Sequence, residues 1–183
     1  MSMGAVSTAV RLGALGLGLV LAACSGQTTT STVPPCPRVG ILADAARMTV
    51  FREGPGRDIT DVQSLSQIGG FSGSCYYTDK QRTVMVDLRI EVTSERGAAA
   101  NGPRSADLPY FVSILNKNRE IIAQQDFILR ADYPVNSVRV GLFDEIEQRL
   151  PLKDGEYGDA YEVLIGFRLT PDQLEWNRQN SRR

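Results

Sequence analysis

Hydrophobic and polar residues alternate most regularly between residues 83 and 93. Aliphatic residues occupy every second position there, namely Val84, Val86, Leu88, Ile90 and Val92. Successive side chains of a strand point to opposite faces, so this spacing places all five on one face and Asp87, Arg89 and Glu91 on the other. The pattern predicts a strand that covers a core with one face and meets solvent with the other.

Other segments rich in β-branched and aromatic residues are separated by turn residues. Residues 74–78 precede a polar turn at 79–81 and predict a hairpin with the alternating strand. Residues 110–115 and 120–129, joined by polar residues, predict a second hairpin. Further strands are predicted at 39–42, 48–51, 58–62, 138–142 and 160–169, whereas 96–109 predicts a loop and 144–150 suits either a strand or a helical turn.

Two local motifs refine this picture. The sequence Gly-Gly-Phe-Ser-Gly at 69–73 predicts a turn or a bulge, because it lacks the Gly-Lys-Ser/Thr ending of a phosphate-binding loop. Near the end of the chain, Thr170 suits a helix N-cap, Pro171 the first helical position and Gln173 the third position after the cap. A short helix near 171–180 is therefore predicted, and it carries Trp176, the one tryptophan of the chain.

About seven short strands at regular spacing, with two hairpins and little helix, predict an all-β fold. The first expectation is an antiparallel β-sandwich, immunoglobulin-like or transthyretin-like, with a short C-terminal helix. A small β-barrel is the alternative.

Residues 1–23 have a different character from the rest of the chain. Their one charge is Arg11, and the apolar run that follows is too short to cross a bilayer, as in a secretory signal peptide. The segment leads into Leu21-Ala22-Ala23-Cys24, which resembles at all four positions the lipobox of bacterial lipoprotein signal peptides. This resemblance implies cleavage before Cys24 and attachment of lipid to it. Ordinary cleavage, or none, is the alternative.

The residues that follow the lipobox agree with this layout. Residues 24–35 are rich in Ser, Thr and Pro and predict a flexible tether, and residues 36–183 then form one domain. By the sorting rule of the lipoprotein family, Ser25 rather than Asp implies the outer membrane, facing the periplasm, with the inner membrane as the alternative. Segments 36–62, 108–112 and 166–171 also resemble uncharacterised proteobacterial envelope lipoproteins, which carry no known activity.

Three cysteines occur in the chain. With Cys24 assigned to lipid, Cys36 and Cys75 remain as an even pair in an oxidising compartment, which predicts a disulfide. Closing a loop of about 40 residues would stabilise the fold by about 4 kcal/mol in the chain-entropy model. The alternative is two separate buried thiols.

Composition excludes several kinds of chemistry. The chain has no His, which removes imidazole catalysis and the usual zinc sites, and its net charge of −1 without basic runs predicts no nucleic-acid partner. Asp144 with Glu145 or Glu147 is a candidate carboxylate pair, but acid clusters are usually solvated. Residues 154–159 suggest calcium without matching an EF-hand. No catalytic, cofactor-binding or metal residue is predicted.

Two function classes stay open. The first is a non-catalytic, lipid-anchored envelope protein that docks on another envelope protein through a strand edge or an aromatic patch. Such a patch would consist of Tyr76, Tyr77, Tyr110 and Phe111, although the sequence favours a core position for most of them. The second class is a small carboxylate-dependent hydrolase or ligand-binding lipoprotein. The sequence favours the first.

Overall fold

The computed structural model describes residues 34–180. Eight strands in this part of the chain form two four-stranded sheets with a shared core, and one α-helix follows the last strand. The elements are β1 (Arg38–Ile41), β2 (Arg47–Phe51), β3 (Val62–Thr78), β4 (Thr83–Arg96), β5 (Ser105–Leu115), β6 (Ile121–Asp132), β7 (Arg139–Pro151), β8 (Glu162–Phe167) and α1 (Pro171–Asn180).

The strand order defines a β-sandwich. Sheet 1 has the order β1-β8-β5-β6 and sheet 2 the order β2-β3-β4-β7. Every strand pair is antiparallel except β1 with β8, which is parallel. Within residues 34–180 both sheets end in strands with a single partner, so neither closes on itself. The predicted sandwich is confirmed, and the alternative of a small barrel is wrong.

The alternating strand β4 carries the centre of the core. Its five aliphatic residues between 84 and 92 are all buried, with exposed fractions of 0 to 3%. The facing sheet supplies its own alternating residues from β5 and β8, namely Leu108, Tyr110, Val112, Ile114, Val163, Ile165 and Phe167. The two inner faces therefore exclude water from one continuous apolar layer, as predicted from the period of two.

Strand β3 is much longer than its sequence predicts. It runs for 17 residues and contains the glycine-rich stretch, where a bulge lies between Ile68 and Gly70. Gly73 allows β4 to approach closely, because a Cβ atom at this position would collide with the carbonyl oxygen of Asp87. The predicted turn or bulge is thus a bulge inside a strand, and the tight turn comes later, at Asp79–Gln81, as predicted.

Two other segments differ from their predictions, and a third was left open. Residues 105–109, predicted as loop, belong to β5 and pair with the end of β6. Residues 144–150, which suited either a strand or a helical turn, extend β7 along β4. Ile59–Asp61, predicted as strand, forms a short 3-10 turn before β3. In the first two cases tertiary pairing overrides the local signal, because a neighbouring strand offers hydrogen-bond partners along its full length.

The start of the described chain is fixed to one end of the sandwich. Cys36 and Cys75 lie at disulfide distance, with Cα atoms 5.8 Å apart, as predicted. The Tyr77 hydroxyl donates a hydrogen bond to the Pro35 carbonyl (2.6 Å) and accepts one from the Gly158 N–H (2.8 Å). The cysteine pair and the Tyr77–Pro35 hydrogen bond thus hold residues 35 and 36 at this end, and Gly158 fixes the Tyr77 hydroxyl.

The C-terminal helix begins as its sequence predicts. Thr170 Oγ1 accepts a hydrogen bond from the Gln173 N–H (3.3 Å), and the Gln173 side chain accepts one from the Thr170 N–H (2.9 Å). This reciprocal capping box satisfies two N–H groups that the helix itself leaves unpaired. The predicted boundaries of α1 are confirmed.

The two faces of β4 differ in their expected contribution to stability. Leu88 is buried, so we expect Leu88→Ala to lower the free energy of unfolding by about 2 to 5 kcal/mol through lost burial and a residual cavity. Arg89 lies on the outer face, 3.4 Å above the Phe143 ring and 2.7 Å from Glu145, so Arg89→Ala should cost about 1 kcal/mol or less. Urea denaturation of both variants tests this contrast. Equal losses at the two positions would contradict the register.

Candidate functional site

An open groove lies between α1 and the outer face of sheet 2. It has a volume of about 560 Å³, and its walls come from β2, the loop before β3, the end of β4 and the helix. The residues that matter most for its chemistry are Phe51, Arg57, Ile59, Leu65, Arg96 and Trp176. We call it the helix groove.

Hydrogen bonds from α1 fix the position of the helix on β2. Asn177 is buried, and its side-chain amide donates to the carbonyls of Asp44 (2.8 Å) and Arg47 (2.7 Å). The Gln173 amide donates to the Thr49 carbonyl (3.2 Å). These contacts anchor the helix through backbone groups of the edge strand β2 and of the 3-10 turn before it, so one wall of the groove is preformed rather than assembled on binding.

Two aromatic rings form the apolar part of the wall. Phe51 of β2 and Trp176 of α1 meet edge to face, with ring centroids 4.9 Å apart and an interplanar angle of 75°. The guanidinium of Arg57 lies 5.2 Å from the centre of the Phe51 ring and donates to the carbonyls of Gly54 and Gly56. The cation is held beside the aromatic surface, where it can meet a ligand that contacts both.

The loop that carries Arg57 depends on the carboxylate of Asp61. This buried side chain accepts a hydrogen bond from the Asp58 N–H (3.0 Å) and pairs with Arg52 at 2.5 Å. The hydrogen bond from Asp58 lowers the pKa of the Asp61 carboxyl below its usual range, burial opposes this, and Arg52 then adds to the lowering. Gly56 lies so close that a Cβ atom there would collide with the carboxylate.

Basic charge exceeds acidic charge along the helix groove. Within residues 34–180, neither Arg47 nor Arg57 has a carboxylate within 4 Å. The two acids of the lining are engaged, since Glu95 lies 3.9 Å from Arg139 and Asp58 accepts the Ile59 N–H. Arg96 likewise has no carboxylate within 4 Å among these residues, although its guanidinium donates to loop carbonyls, and Arg57 helps to lower the pKa of Asp61. The groove thus presents three guanidinium groups, none of them in a close ion pair.

The groove also exposes aliphatic side chains. Ile59 is 79% exposed at the rim and Leu65 is 42% exposed on the floor. Together with the aromatic wall they form an apolar surface that remains in contact with water. Apolar surface beside unpaired cations can bind a ligand that combines an apolar side chain with a carboxylate.

The candidate carboxylates of β7 do not form a pair. Asp144 points toward the facing sheet, where the buried Tyr110 hydroxyl donates to it at 2.6 Å. Burial, and then this hydrogen bond to Asp144, raise the pKa of Tyr110. Glu145 and Glu147 lie on the opposite face, where they contact Arg89 and Tyr76. The pleat therefore separates the acid groups that the sequence places side by side.

The four aromatic residues considered as one patch lie in different places. Tyr76 is 46% exposed on sheet 2, and Tyr77 contacts the start of the domain through its hydroxyl. Tyr110 belongs to the core of sheet 1, where its ring stacks on Phe127 at 5.0 Å. Phe111 is on the outer face of the same strand, with Arg168 above its ring. They do not make a single binding surface.

The acidic segment 154–159 is a loop followed by a 3-10 turn. Glu156 accepts a hydrogen bond from the Tyr161 hydroxyl (2.8 Å), which is the main cause that lowers the pKa of Glu156. Among residues 34–180 no three His, Cys, Asp or Glu side chains are placed to hold a metal ion. Cys24, the predicted lipid site, lies outside the described residues.

Sequence reasoning did not find the helix groove. Its walls join residues more than 100 positions apart, and α1 crosses the outer face of β2, which the alternation pattern alone would leave in solvent. The one available signal was Trp176, a large aromatic residue in an otherwise polar helix.

Comparisons of the chain with protein families, with curated proteins and with solved structures find no match. Over residues 34–180, no helix has both the length and the apolar character needed to span a bilayer.

The Asp61 carboxylate, which supports the loop that carries Arg57, should make the stability of the domain decrease in acid. Because the folded-state pKa of Asp61 is lowered, its contribution to stability is complete above the unfolded pKa near 3.9 and disappears as pH falls through the lower folded value. We expect Asp61→Asn to lower the thermal midpoint at pH 7 and to reduce its decline below about pH 4. Melting curves from pH 7 to 2 measure this, with the exposed Asp154→Asn as control. Identical pH profiles for Asp61→Asn and the wild type would contradict the role of Asp61.

Proposed function

We propose that this protein is a non-catalytic, lipid-anchored binding protein of the bacterial cell envelope. Its anchor would be lipid on Cys24, its location the periplasmic face of the outer membrane, and its partner another envelope protein. The lipobox at 21–24 and the polar tract at 24–35 support the anchor. The Cys36–Cys75 contact supports an oxidising compartment, where disulfides persist.

The observation that carries the binding role is the chemistry of the helix groove. Exposed Ile59 and Leu65 and the Phe51–Trp176 pair lie beside Arg47 and Arg57, neither of which has a carboxylate within 4 Å among the described residues. An occupant that fits both features is a protein segment with an apolar or aromatic side chain next to Asp or Glu. Arg–carboxylate contacts would orient the segment, and burial of its apolar side chain would supply most of the affinity.

The position of the groove suits a partner away from the lipid. Leu65 on the groove floor and Cys75 at the anchored end lie on the same strand, separated by ten positions or about 34 Å of extended chain. A ligand in the groove would therefore meet the end of sheet 2 that is remote from the attachment of the tether. This favours a protein segment over the membrane surface as the occupant.

The anchor is tested first. We expect Cys24→Ala to abolish partition of the protein into a detergent phase, because the acyl chains that hold a lipoprotein are attached to this residue. Mass spectrometry of the wild type should give the mass of the chain from Cys24 plus lipid. Ser25→Asp is the matched variant, since it should keep the lipid and move the protein to the inner membrane. Normal partition of Cys24→Ala would contradict the proposed anchor.

The groove is tested with Trp176 as an internal reporter. Three synthetic peptides of one apolar sequence, carrying Asp, Asn or Lys at the flanking positions, are titrated into the full chain while tryptophan emission is recorded. We expect the Asp peptide to bind best, and Arg57→Gln to weaken its binding by about 10-fold or more, since a charged hydrogen bond contributes about 1.5 to 3 kcal/mol. Binding should also weaken with added salt.

The control for the peptide titration is Arg149→Gln, which removes an exposed cation at the other end of sheet 2, where Arg149 pairs with Asp79. It should leave peptide binding unchanged. Equal binding of the three peptides would contradict the recognition of carboxylates. A response of Trp176 to anionic lipid vesicles, with none to any peptide, would replace the protein partner by a membrane surface.

A further inference from the structure

Strand β6 is an unusually open edge of the sandwich. It is the last strand of sheet 1, and within residues 34–180 its backbone ladder has one partner, β5. All residues from 121 to 126 are exposed. Ile122 and Ile128 are 52% and 70% exposed, although both are aliphatic. The strand therefore offers unpaired N–H and C=O groups beside an apolar surface.

This edge lacks the usual protection against pairing. Natural edge strands are shielded by Lys, Pro, bulges or short length, because an open edge is a template for another strand. Strand β6 has 12 residues without Lys or Pro, and its one bulge lies near its start, at Ile122, so residues 123–132 pair regularly with β5. Between residues 121 and 129 its one charged residue is Asp126. An edge of this composition is suited to a specific partner strand.

The direction of the side chains is set by the core. Phe127 and Leu129 pack against the core, so the odd-numbered residues of β6 face inward from Ala123 onward. The even-numbered residues from Gln124 to Arg130 then lie on the outer face, and Ile122 is the extra residue of the bulge. Any strand added to this edge in the same sheet must place its own outer-face residues opposite these.

We propose that β6 pairs with β6 of a second copy of this chain, antiparallel and centred on Gln125. In this register Ile122 lies opposite Ile128 of the second copy, and Gln124 opposite Asp126. The two-fold axis repeats each contact, which gives two isoleucine pairs and two amide–carboxylate pairs.

Neighbouring registers do not have this complementarity. A centre at Gln124 would place Ile122 opposite Asp126, and a centre at Asp126 would place two carboxylates directly opposite each other. Cross-strand pairs of like charge or of charge with an aliphatic side chain are unfavourable. On the inner face, the register at Gln125 brings Ala123 opposite Phe127. The outer and inner faces of the sheet thus favour the same register, which is centred on Gln125.

In the resulting assembly, the two copies of sheet 1 would lie on opposite sides of the two-fold axis and form one continuous eight-stranded sheet. Strand β6 lies next to the β7 edge of sheet 2, whereas the helix groove lies at the β2 edge, so the groove would remain open in both copies. The dimer therefore does not depend on the proposed function of the groove.

Sedimentation of the full chain in detergent over a dilution series tests the dimer. We expect a reversible dimer for the wild type and at least about 10-fold weaker association for Ile128→Lys, because a charge would replace an apolar contact at two symmetric positions. Val135→Lys is the matched control, since Val135 is 88% exposed but lies beyond the paired segment. A wild-type monomer at every concentration, or a dimer unaffected by Ile128→Lys, would overturn the proposal.

Two further variants test the register. In an antiparallel pair, directly opposite Cα atoms are about 4.5 to 5.5 Å apart, so Gln125→Cys should form an intermolecular disulfide on the axis. Gln124→Cys should not, because its copies would be about 8 Å apart. Cross-linking through position 124 instead of 125, or through neither position, would overturn this register.

Discussion

Burial of the aliphatic face of β4 determines where the other strands lie. The pleat sends every second side chain to one side, so the five residues from Val84 to Val92 can leave water only if a second sheet covers them. Strands β5 and β8 supply that cover with their own alternating residues. Strands β3 and β7 then extend along β4 on either side, because its backbone offers hydrogen-bond partners for 14 residues.

The apolar layer changes to a polar one at the groove end of β4. Ser94 follows the aliphatic series in the same inward direction, and its hydroxyl is 2.7 Å from both Ser66 Oγ and the Tyr133 hydroxyl. All three residues are buried, and their hydroxyl groups satisfy one another, which removes the cost of burying them alone. Arg96 lies above the Tyr133 ring. The core and the helix groove are therefore connected by a short polar network.

The parts that sequence reasoning predicted share one property: the signal was contained within a few neighbouring residues. The alternation of β4, the capping box at Thr170 and Gln173 and the turn at 79–81 all follow from local chemistry. The length of β3, the strand at 105–109 and the extension of β7 depend on partners elsewhere in the chain, so local propensity could not predict them. The helix groove belongs to the same class, since Phe51 and Trp176 meet through tertiary packing alone.

The bond between Cys36 and Cys75 also has a mechanical consequence. Tension applied at the start of the domain would pass directly from Cys36 to Cys75, so β1 and β2, which lie within the closed loop, would carry none of it. Cys75 lies near the end of β3 and is paired with Val86 of β4. The load would therefore enter the two central strands of sheet 2 rather than the edge strands β1 and β2. Pulling at the end where the chain joins the domain would thus act on the two strands with the longest shared ladder.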